Sequence, residues 1–401
     1  MRTQVGIVGA GPAGLLLSHL LYLAGIESVV LEQRSREYVE TDTARIRAGV
    51  LEDGPAELLD AVGVGARMRA KGLVHHGIEL RFDRTAHRIP LTELTGGRSI
   101  MVYGQQEVVK DLIAARLATG GTVLFDAHDV SVADIGTDRP VLSFHQDGWE
   151  ETLECDVIAG CDGFHGVSRN AIPPGVLRVY EKVYPYAWLG ILAAVPPSTE
   201  ELIYCRHERG FALHSLRSPE LSRLYLQVSP GEQLSHWPDD RIWEELRTRF
   251  ATDDGWTLAD GPVLEKSVTA MRSFVVEPMQ YGRLFLVGDA AHTVPPTGAK
   301  GMNLAVADVQ VLAAALTRWY ASGDPASLES YSADCLRHVW RAEDFSAWMT
   351  ALLHVDRSDG FGDRAQHARL AYTARSRAAA ASLAENYVGA SRPWVGNGAH
   401  D

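Results

Sequence analysis

Apolar and polar positions along the first forty residues alternate as in a strand, a helix and a second strand. Residues 4–8 form a short apolar run typical of a buried strand, residues 12–25 carry the apolar spacing of a helix, and residues 28–32 form another apolar run. Strands in this arrangement lie parallel and adjacent, joined by the crossover helix. The chain therefore opens with the unit from which doubly wound α/β sheets are built.

Beyond residue 70 the apolar runs are short and are separated by Pro, Gly, Ser and charged residues, which is typical of antiparallel strands. The clearest of these runs are residues 188–195, 211–215 and 222–228. The α/β pattern returns in a helix at 106–118 and a strand at 155–160, and again in a strand at 283–287 and a helix at 303–320.

We therefore predict an α/β fold in which a Rossmann-like domain is interleaved with a mostly antiparallel β-sheet domain and followed by a helical C-terminal region. The predicted boundaries are 1–71, 101–179 and 278–330 for the Rossmann-like domain, 72–100 and 180–277 for the β-sheet domain, 331–388 for the helical region and 389–401 for a tail.

Charge and cysteine usage exclude several function classes. A net charge of −13 opposes nucleic-acid binding, which needs a basic surface. The four cysteines show neither the paired spacing of a zinc site nor the density of a disulfide scaffold, so we expect reduced thiols and no metal. The N-terminus lacks a signal-like segment and no apolar run reaches about 18 residues, which predicts a cytoplasmic protein without a membrane span.

The turn between the first strand and the helix reads Gly-Ala-Gly-Pro-Ala-Gly over residues 9–14 and matches the G-x-G-x-x-G pattern. Gly9 permits a tight turn, Gly11 lets backbone N–H groups approach a pyrophosphate, and Gly14 lets the helix pack closely on the strand. Glu32, at the end of the second strand, can accept a hydrogen bond from a ribose hydroxyl. With strand, helix and acidic residue in register, the pattern predicts dinucleotide binding; a merely structural glycine turn is the alternative.

Two further segments follow predicted strands and precede helices. Residues 161–169 read Cys-Asp-Gly-Phe-His-Gly-Val-Ser-Arg, which could be an ordinary strand-to-helix loop. Residues 288–303 contain Gly-Asp, a histidine and a Pro-Pro pair. The Asp could bind a ribityl hydroxyl, and the N–H groups of the following helix could stabilise negative charge on a reduced flavin ring.

Together, the three segments resemble the class A flavoprotein monooxygenases. Within that class, five stretches resemble the members that hydroxylate 4-hydroxybenzoate at its 3-position, namely 45–51, 163–166, 209–213, 272–278 and 384–389. The resemblance covers nearly the whole chain. It implies FAD as the bound cofactor and a flavin C4a-hydroperoxide as the source of the transferred hydroxyl group.

The resemblance places the FAD pyrophosphate against the glycine turn and Arg47, and the adenosine ribose near Glu32. It places the ribityl group near Asp289 and the isoalloxazine near Asn303, with Lys300 adding positive potential. The full set that it assigns to FAD is Gly9, Gly11, Pro12, Ala13, Gly14, Glu32, Arg45, Arg47, Gln105, Asp162, Asp289, Gly298, Lys300 and Asn303.

For the aromatic acid, the resemblance implies binding by Ser215, Arg217 and Tyr225, with Arg223 supporting the pocket. The two-residue period of strands gives an independent check, because Ser215 and Arg217 would share one face of a strand and Arg223 and Tyr225 one face of its neighbour. Two arginines in one pocket suit a carboxylate. Arginines on an exposed sheet face are the alternative.

The resemblance also implies that Tyr204 and Tyr387 remove the phenolic proton and pass it toward His75 near the surface. The backbone carbonyl of Pro296 would hold the phenol oxygen. A phenolate is a better carbon nucleophile than a phenol, so this proton transfer would favour 3,4-dihydroxybenzoate as product. Tyrosines that only fill the core are the alternative.

NADH or NADPH would reduce the flavin, and the resemblance places Arg34, Tyr38, His165 and Arg272 at this coenzyme. Residues 33–42 contain more acidic residues than arginines, and the segment at 40–44 before Arg45 is a few residues longer than expected for the family. We therefore expect NADH to serve at least as well as NADPH. A homodimer is expected by resemblance. A hydroxylase of another phenolic acid and a non-enzymatic binding protein that keeps this fold remain the alternatives.

Overall fold

The computed structural model describes residues 1–41 and 49–389. Its strands are β1 (Arg2–Val8), β2 (Ser28–Leu31), β3 (Val50–Leu51), β4 (Leu73–His75), β5 (Ile78–Phe82), β6 (Thr85–Ile89), β7 (Ile100–Val102), β8 (Thr122–Leu124), β9 (His128–Ala133), β10 (Val141–Gln146), β11 (Trp149–Gly160), β12 (Arg178–Ala193), β13 (Leu202–His207), β14 (Gly210–Ser218), β15 (Leu221–Val228), β16 (Val263–Glu277), β17 (Gln280–Tyr281), β18 (Leu284–Leu286) and β19 (His292–Thr293). Its α-helices are α1 (Pro12–Leu23), α2 (Arg36–Thr41), α3 (Asp53–Ala61), α4 (Ala66–Lys71), α5 (Leu91–Leu94), α6 (Gln105–Ala118), α7 (Asp239–Phe250), α8 (Gly301–Ser322), α9 (Ala326–Glu329), α10 (Tyr331–Leu353), α11 (Gly360–Arg375) and α12 (Arg377–Val388).

The first sheet has the strand order β17-β18-β11-β1-β2-β8, and its central pairs are parallel. The apolar run of β1 lies in the middle, where Val5 and Ile7 are fully buried. Helices α1 and α8 pack against each other beside this sheet, as expected for parallel strands that are covered by helices. The predicted Rossmann-like domain is confirmed.

The second sheet has the order β19-β16-β12-β15-β14-β13-β5-β6 and is antiparallel except where β13 pairs with β5. Its two faces are buried in different ways. One face packs against the C-terminal helices around Tyr204 and Tyr387, and the other packs against α7 around Trp243 and Phe250. The prediction of a mostly antiparallel sheet interleaved with the α/β unit is confirmed.

Two features join the sheets more closely than the sequence pattern indicated. Strands β12 and β16 run antiparallel from Arg178 opposite Glu277 to Ala193 opposite Val263, which is far longer than the apolar run at 188–195. Strand β19, which lies within the Pro-Pro segment, then pairs with β16. The third cofactor segment is thus anchored directly to the β-sheet domain.

The C-terminal region is helical, as predicted, and contains α10, α11 and α12. Helices α10 and α12 contribute Phe345, Met349, Leu383 and Tyr387 to the core on the pocket side of the second sheet. Within the described ranges, none of the helices is long and apolar enough to cross a membrane.

Candidate functional site

The glycine turn has the geometry of a pyrophosphate-binding loop. Gly9 has a φ of +102°, which disfavours any side chain, and a Cβ at Gly14 would lie 2.0 Å from the Gly9 carbonyl oxygen. A Cβ at Gly11, in contrast, would meet no atom of the described chain within 4 Å. The turn is therefore tightly packed at Gly14, where the helix meets the strand. At Gly11 it leaves space at the N-terminus of α1, where a pyrophosphate would bind.

Glu32 links this turn to the segment after β2. Its Oε2 accepts a hydrogen bond from the Ala10 backbone N–H at 2.9 Å, and its Oε1 accepts one from the Arg34 N–H at 3.0 Å. Each carboxylate oxygen can accept a second hydrogen bond. The carboxylate is thus held in a fixed orientation with capacity left for a ribose hydroxyl.

The second predicted segment lies directly against the glycine turn, because a Cβ at Gly9 would come within 2.5 Å of the Cys161 carbonyl oxygen. Asp162 accepts a hydrogen bond from the Ser168 N–H at 2.8 Å, which closes the loop before the short 3₁₀ turn. Its other oxygen, Oδ1, is buried and has no hydrogen-bond partner in the described part of the chain. Burial raises the pKa of Asp162.

The third segment is held by an ion pair that the sequence did not reveal. His292 and Asp308 lie 2.7 Å apart and are both buried, and Asp308 also accepts a hydrogen bond from the Gly288 N–H at 2.9 Å. Burial acts to lower the pKa of His292, but the Asp308 carboxylate outweighs it and the pKa is raised. This pair fixes the backbone on both sides of Asp289. Asp308 lies on α8 amid apolar residues, so sequence spacing gave no signal for it.

Asn303 and Lys300 join the segment at 288–303 to β3 and to the residue before α3. Asn303 donates to the Val50 carbonyl and accepts from the Glu52 N–H, both at 2.9 Å. Lys300 donates to the Glu52 carboxylate at 2.5 Å and to the Tyr387 carbonyl at 3.2 Å. The positive potential expected from Lys300 is therefore offset by an acidic partner, Glu52, that the sequence analysis missed.

Several residues assigned to FAD are placed without a specific contact. Gln105 begins α6, and Gly298 closes a short 3₁₀ turn against Ser346. Arg45 and Arg47 lie outside the described residues, as do residues 42–44 of the extended segment. Their assignments remain predictions.

The residues predicted to bind the carboxylate come together on β14 and β15. Ser215 pairs with Arg223 and Leu213 pairs with Tyr225, so their side chains share one face of the sheet, as the period of two required. Beyond Leu216 the register shifts, and the Arg217 guanidinium turns back to donate to the Ser215 hydroxyl at 2.7 Å.

Both arginines in this group have unsatisfied donors. The Nε and Nη2 atoms of Arg217 and the Nε and Nη1 atoms of Arg223 are buried without a hydrogen-bond acceptor among the described residues. Glu265 lies 3.6 Å from Arg223, which is an ion pair but beyond hydrogen-bond distance. Burial lowers the pKa of Arg217. Because enclosed cationic donors without acceptors are costly, the arrangement fits an anionic ligand and excludes arginines on an exposed sheet face.

Tyr204 and Tyr387 face each other across the same core, with their hydroxyl oxygens 2.5 Å apart. Each side chain is 2% exposed, and burial raises the pKa of both. The sequence analysis expected His75 near the surface, but the structure buries it. It ends β4 opposite the buried Ile100, and its side chain is 1% exposed. Burial lowers the pKa of His75 to about 4, and neither ring nitrogen bonds to any described residue.

The coenzyme residues fall into two pairs. The Arg34 guanidinium lies 4.6 Å from the centre of the Tyr38 ring, and Arg272 lies 4.7 Å from the ring of Phe164, which also contacts the His165 ring at 5.0 Å. His165 is exposed, and Arg272 also lies 3.5 Å from Glu181. Each pair places a partly buried arginine beside an aromatic ring, and the contact with a coenzyme remains a prediction.

A family model described as an FAD-binding domain matches residues 2–346. The chain is also 48% identical over 390 residues to the p-hydroxybenzoate hydroxylase of Acinetobacter baylyi, a match that covers 97% of this chain and 96% of that protein. The chain belongs to the FAD-binding family of class A flavoprotein aromatic hydroxylases. It is a flavin-dependent aromatic monooxygenase.

More distant similarities agree with this family. A 3-amino-4-hydroxybenzoate 2-monooxygenase of Streptomyces platensis is 28% identical over 78% of this chain and 79% of its own. The crystal structure of a p-nitrophenol 4-monooxygenase from Pseudomonas putida DLL-E4 superposes with a TM-score of 0.80 over 97% of this chain and 99% of its own, at 18% identity. That structure supports the fold alone. In the ranges that the structure describes, no cluster of side chains could hold a metal ion.

Proposed function

We propose that this hydroxylase converts 4-hydroxybenzoate to 3,4-dihydroxybenzoate, with NADH or NADPH as the reductant. The observation that carries the proposal is the combination of buried, unsatisfied arginine donors with a buried tyrosine pair in one pocket. A substrate with a carboxylate at one end and a phenol at the other satisfies both features. The relative named p-hydroxybenzoate hydroxylase supports the same assignment.

Arg217 binds the carboxylate end in this proposal. Its Nη1 atom is already used by Ser215, which leaves Nε and Nη2 to form a paired contact with two carboxylate oxygens. Arg223 contributes a second positive charge, and its nearest carboxylate is Glu265, at 3.6 Å. Such a pocket favours an anion over a neutral phenol of the same size, because only the anion relieves the unpaired charge.

Tyr204 and Tyr387 act at the phenol end. Their hydroxyl groups form a short chain that can accept a proton from the substrate and move it one residue further. Since each tyrosine is held neutral by burial, the pair serves as a conduit rather than as a lasting base. His75 stays the proposed end of the chain. The Pro296 carbonyl, in the turn before Lys300, accepts a hydrogen bond from the phenol and orients the ring.

FAD, when bound, supplies the activation of molecular oxygen with electrons from the coenzyme. This chain's part is to hold it by the glycine turn, Glu32 and Asp289, to keep water from the reacting carbon, and to present the substrate as a phenolate. A homodimer in the cytoplasm is proposed from the resemblance, and light scattering of the purified protein tests the dimer.

The proposal is tested with purified FAD-loaded protein and three ligands. We expect 4-hydroxybenzoate to perturb the flavin absorbance, to stimulate NADH or NADPH oxidation and to yield 3,4-dihydroxybenzoate by chromatography. Benzoate, which lacks the phenol, should bind without being hydroxylated, and phenol, which lacks the carboxylate, should bind poorly. Stimulation by a different phenolic acid but not by 4-hydroxybenzoate would overturn the substrate assignment while leaving the flavoprotein family intact.

A further inference from the structure

His354 lies at the end of α10, between the two walls of the proposed pocket. It is buried; its ring stacks on Tyr186 at a centroid distance of 4.7 Å and lies tilted against Phe211 at 4.6 Å. Neither the family motifs nor residue spacing identified it, because a single histidine at a helix end carries no pattern. Its contacts, however, reach both ends of the substrate site.

The contacts of His354 determine its tautomer. Its Nε2 accepts a hydrogen bond from the indole Nε1–H of Trp188 at 2.6 Å, and its Nδ1 lies 3.0 Å from the Thr350 carbonyl oxygen. An indole N–H can only donate and a carbonyl oxygen can only accept, so Nδ1 carries the proton and Nε2 the lone pair. Burial lowers the pKa of His354 to about 3, which keeps the ring neutral throughout the working range of an enzyme.

The backbone around His354 is fixed by two glutamines. Gln366 of α11 donates to the His354 carbonyl at 2.7 Å, and Gln227 of β15 exchanges two hydrogen bonds with the backbone of Val355, at 2.8 and 3.0 Å. Gln227 is two residues from Tyr225 on the same strand. Hydrogen bonds to both ring nitrogens and to the surrounding backbone therefore hold the His354 ring in one orientation.

Both partners of the ring lead to the substrate site. The Trp188 ring lies 4.8 Å from the ring of Tyr225, at the carboxylate end. On the other side, the Thr350 hydroxyl lies 3.0 Å from the hydroxyl of Thr297, the residue after Pro296. A single imidazole thus connects the aromatic wall to the turn that holds the phenol.

The geometry points to His354 as a positioning residue of the hydroxylase: a fixed neutral imidazole that locks Trp188 to α10 and so sets the spacing between Tyr225 and the Pro296 turn. This inference rests on the proposed function. Small displacements of a bound substrate lower the fraction of productive encounters, so loss of the lock should affect substrate affinity and coupling more than flavin reduction.

The main variant is His354→Phe, which keeps the stacked ring and removes both hydrogen bonds. We expect the dissociation constant for 4-hydroxybenzoate to rise by about tenfold and the ratio of product to coenzyme consumed to fall, with FAD content unchanged. His354→Gln, whose side-chain oxygen can again accept from Trp188, should recover part of both. The matched control is His214→Phe, since His214 is also buried, also has its pKa lowered to about 3, and pairs with Ile203 and Leu224 on the opposite face of the sheet.

A merely structural role predicts another result: His354→Phe and His214→Phe would lower the melting temperature alike and leave affinity and coupling at wild-type values, and that outcome would overturn the inference. If His354→Phe does not fold, Trp188→Phe and His354→Gln carry the same test. Nitrogen NMR of ring-labelled histidine gives a readout without turnover, and a His354 signal that titrates between pH 5 and 8 would also overturn the inference. Failure of the proposed function is distinguished by the wild type itself not responding to 4-hydroxybenzoate.

Discussion

The glycine turn and the proposed aromatic-acid pocket are built from different parts of the chain. The turn uses backbone groups of consecutive residues, and Gly9 and Gly14 leave no room for a Cβ atom. The pocket uses side chains of Ser215, Arg217, Tyr225 and Tyr204, drawn from three strands, and of Tyr387 from a helix near the end of the described chain. Local sequence specifies the first, whereas only the assembled fold creates the second.

The two regions also differ in what they leave unsatisfied. At the turn, Glu32 already has backbone partners on both oxygens, and Gly11 simply leaves space. In the pocket, Arg217 and Arg223 keep buried donors without acceptors among the residues that the structure describes. A ligand at the turn would occupy the space beside Gly11, whereas an anionic ligand in the pocket would pair with arginine donors that are otherwise buried without acceptors in the described chain. Substitutions should therefore fail in different ways in the two places.

The largest effect is expected at Gly14. Its Cβ would lie 2.0 Å from a backbone oxygen that cannot move away, so Gly14→Ala should destabilise the fold by several kcal/mol and reduce the yield of folded protein. Gly11→Ala is the matched control: its methyl group meets no atom of the described residues within 4 Å, so the melting temperature of the FAD-free protein should not change, yet FAD affinity should fall. Equal melting temperatures for the two variants would contradict this difference.

The next largest effect is expected for Arg217→Lys. An ammonium group cannot reproduce the paired contact, and loss of one partner from a buried ion pair costs about 3–5 kcal/mol. We expect the substrate dissociation constant, measured by flavin absorbance titration, to rise more than a hundredfold while FAD stays bound. Arg209→Lys, on an arginine whose side chain is 47% exposed, should leave this constant unchanged. An unaltered constant for Arg217→Lys would remove Arg217 from the carboxylate site.

Local sequence predicted the strand, turn and helix around Gly11, whereas the pocket was predicted through resemblance, with the two-residue period of strands as a check, and the difference has a physical reason. The glycines around Gly11 contact a strand and a helix of the same short segment, so the local residue pattern predicts the geometry of the turn. Lys300 meets Glu52, and His292 meets Asp308, only after distant elements pack, and no periodicity links such residues. The expected surface position of His75 was wrong for the same reason, since the burial of β4 depends on a strand further along the chain.

Removing the Tyr204 hydroxyl should have an intermediate effect. Tyr204→Phe keeps the arginine contacts, so substrate binding and flavin reduction should persist, but the first acceptor of the phenolic proton is lost. Positioned proton transfer contributes about 100-fold or more, so hydroxylation should slow and most of the coenzyme consumed should yield hydrogen peroxide. Tyr331→Phe, which removes an equally buried hydroxyl bonded to the Leu286 carbonyl, is the control. Full coupling in Tyr204→Phe would exclude this residue from the proton path.

The smallest effect concerns the choice of coenzyme, for which the proposed contacts lie on the segment that follows Glu32. Arg34 stacks on Tyr38, and Arg36 forms an ion pair with Glu40 at 2.9 Å on the short helix α2. One of the two arginines that could grip a 2′-phosphate is thus already paired with an acid. Glu37 lies one position beyond Arg36 and adds a second negative charge.

We therefore expect NADH to be used at least as well as NADPH, and the acidic residues to be the reason. Glu40→Ala frees Arg36 and should move the ratio of kcat/KM values toward NADPH, whereas Glu37→Ala, which breaks no ion pair among the described residues, should move it less. Both ratios are measured at saturating 4-hydroxybenzoate, with Glu329→Ala on α9 as the control for loss of a negative charge elsewhere. A tenfold preference for NADPH in the unmodified protein, worth about 1.4 kcal/mol, would show that the arginines determine the choice of coenzyme. These carboxylates would then lie on a solvated helix face without affecting that choice.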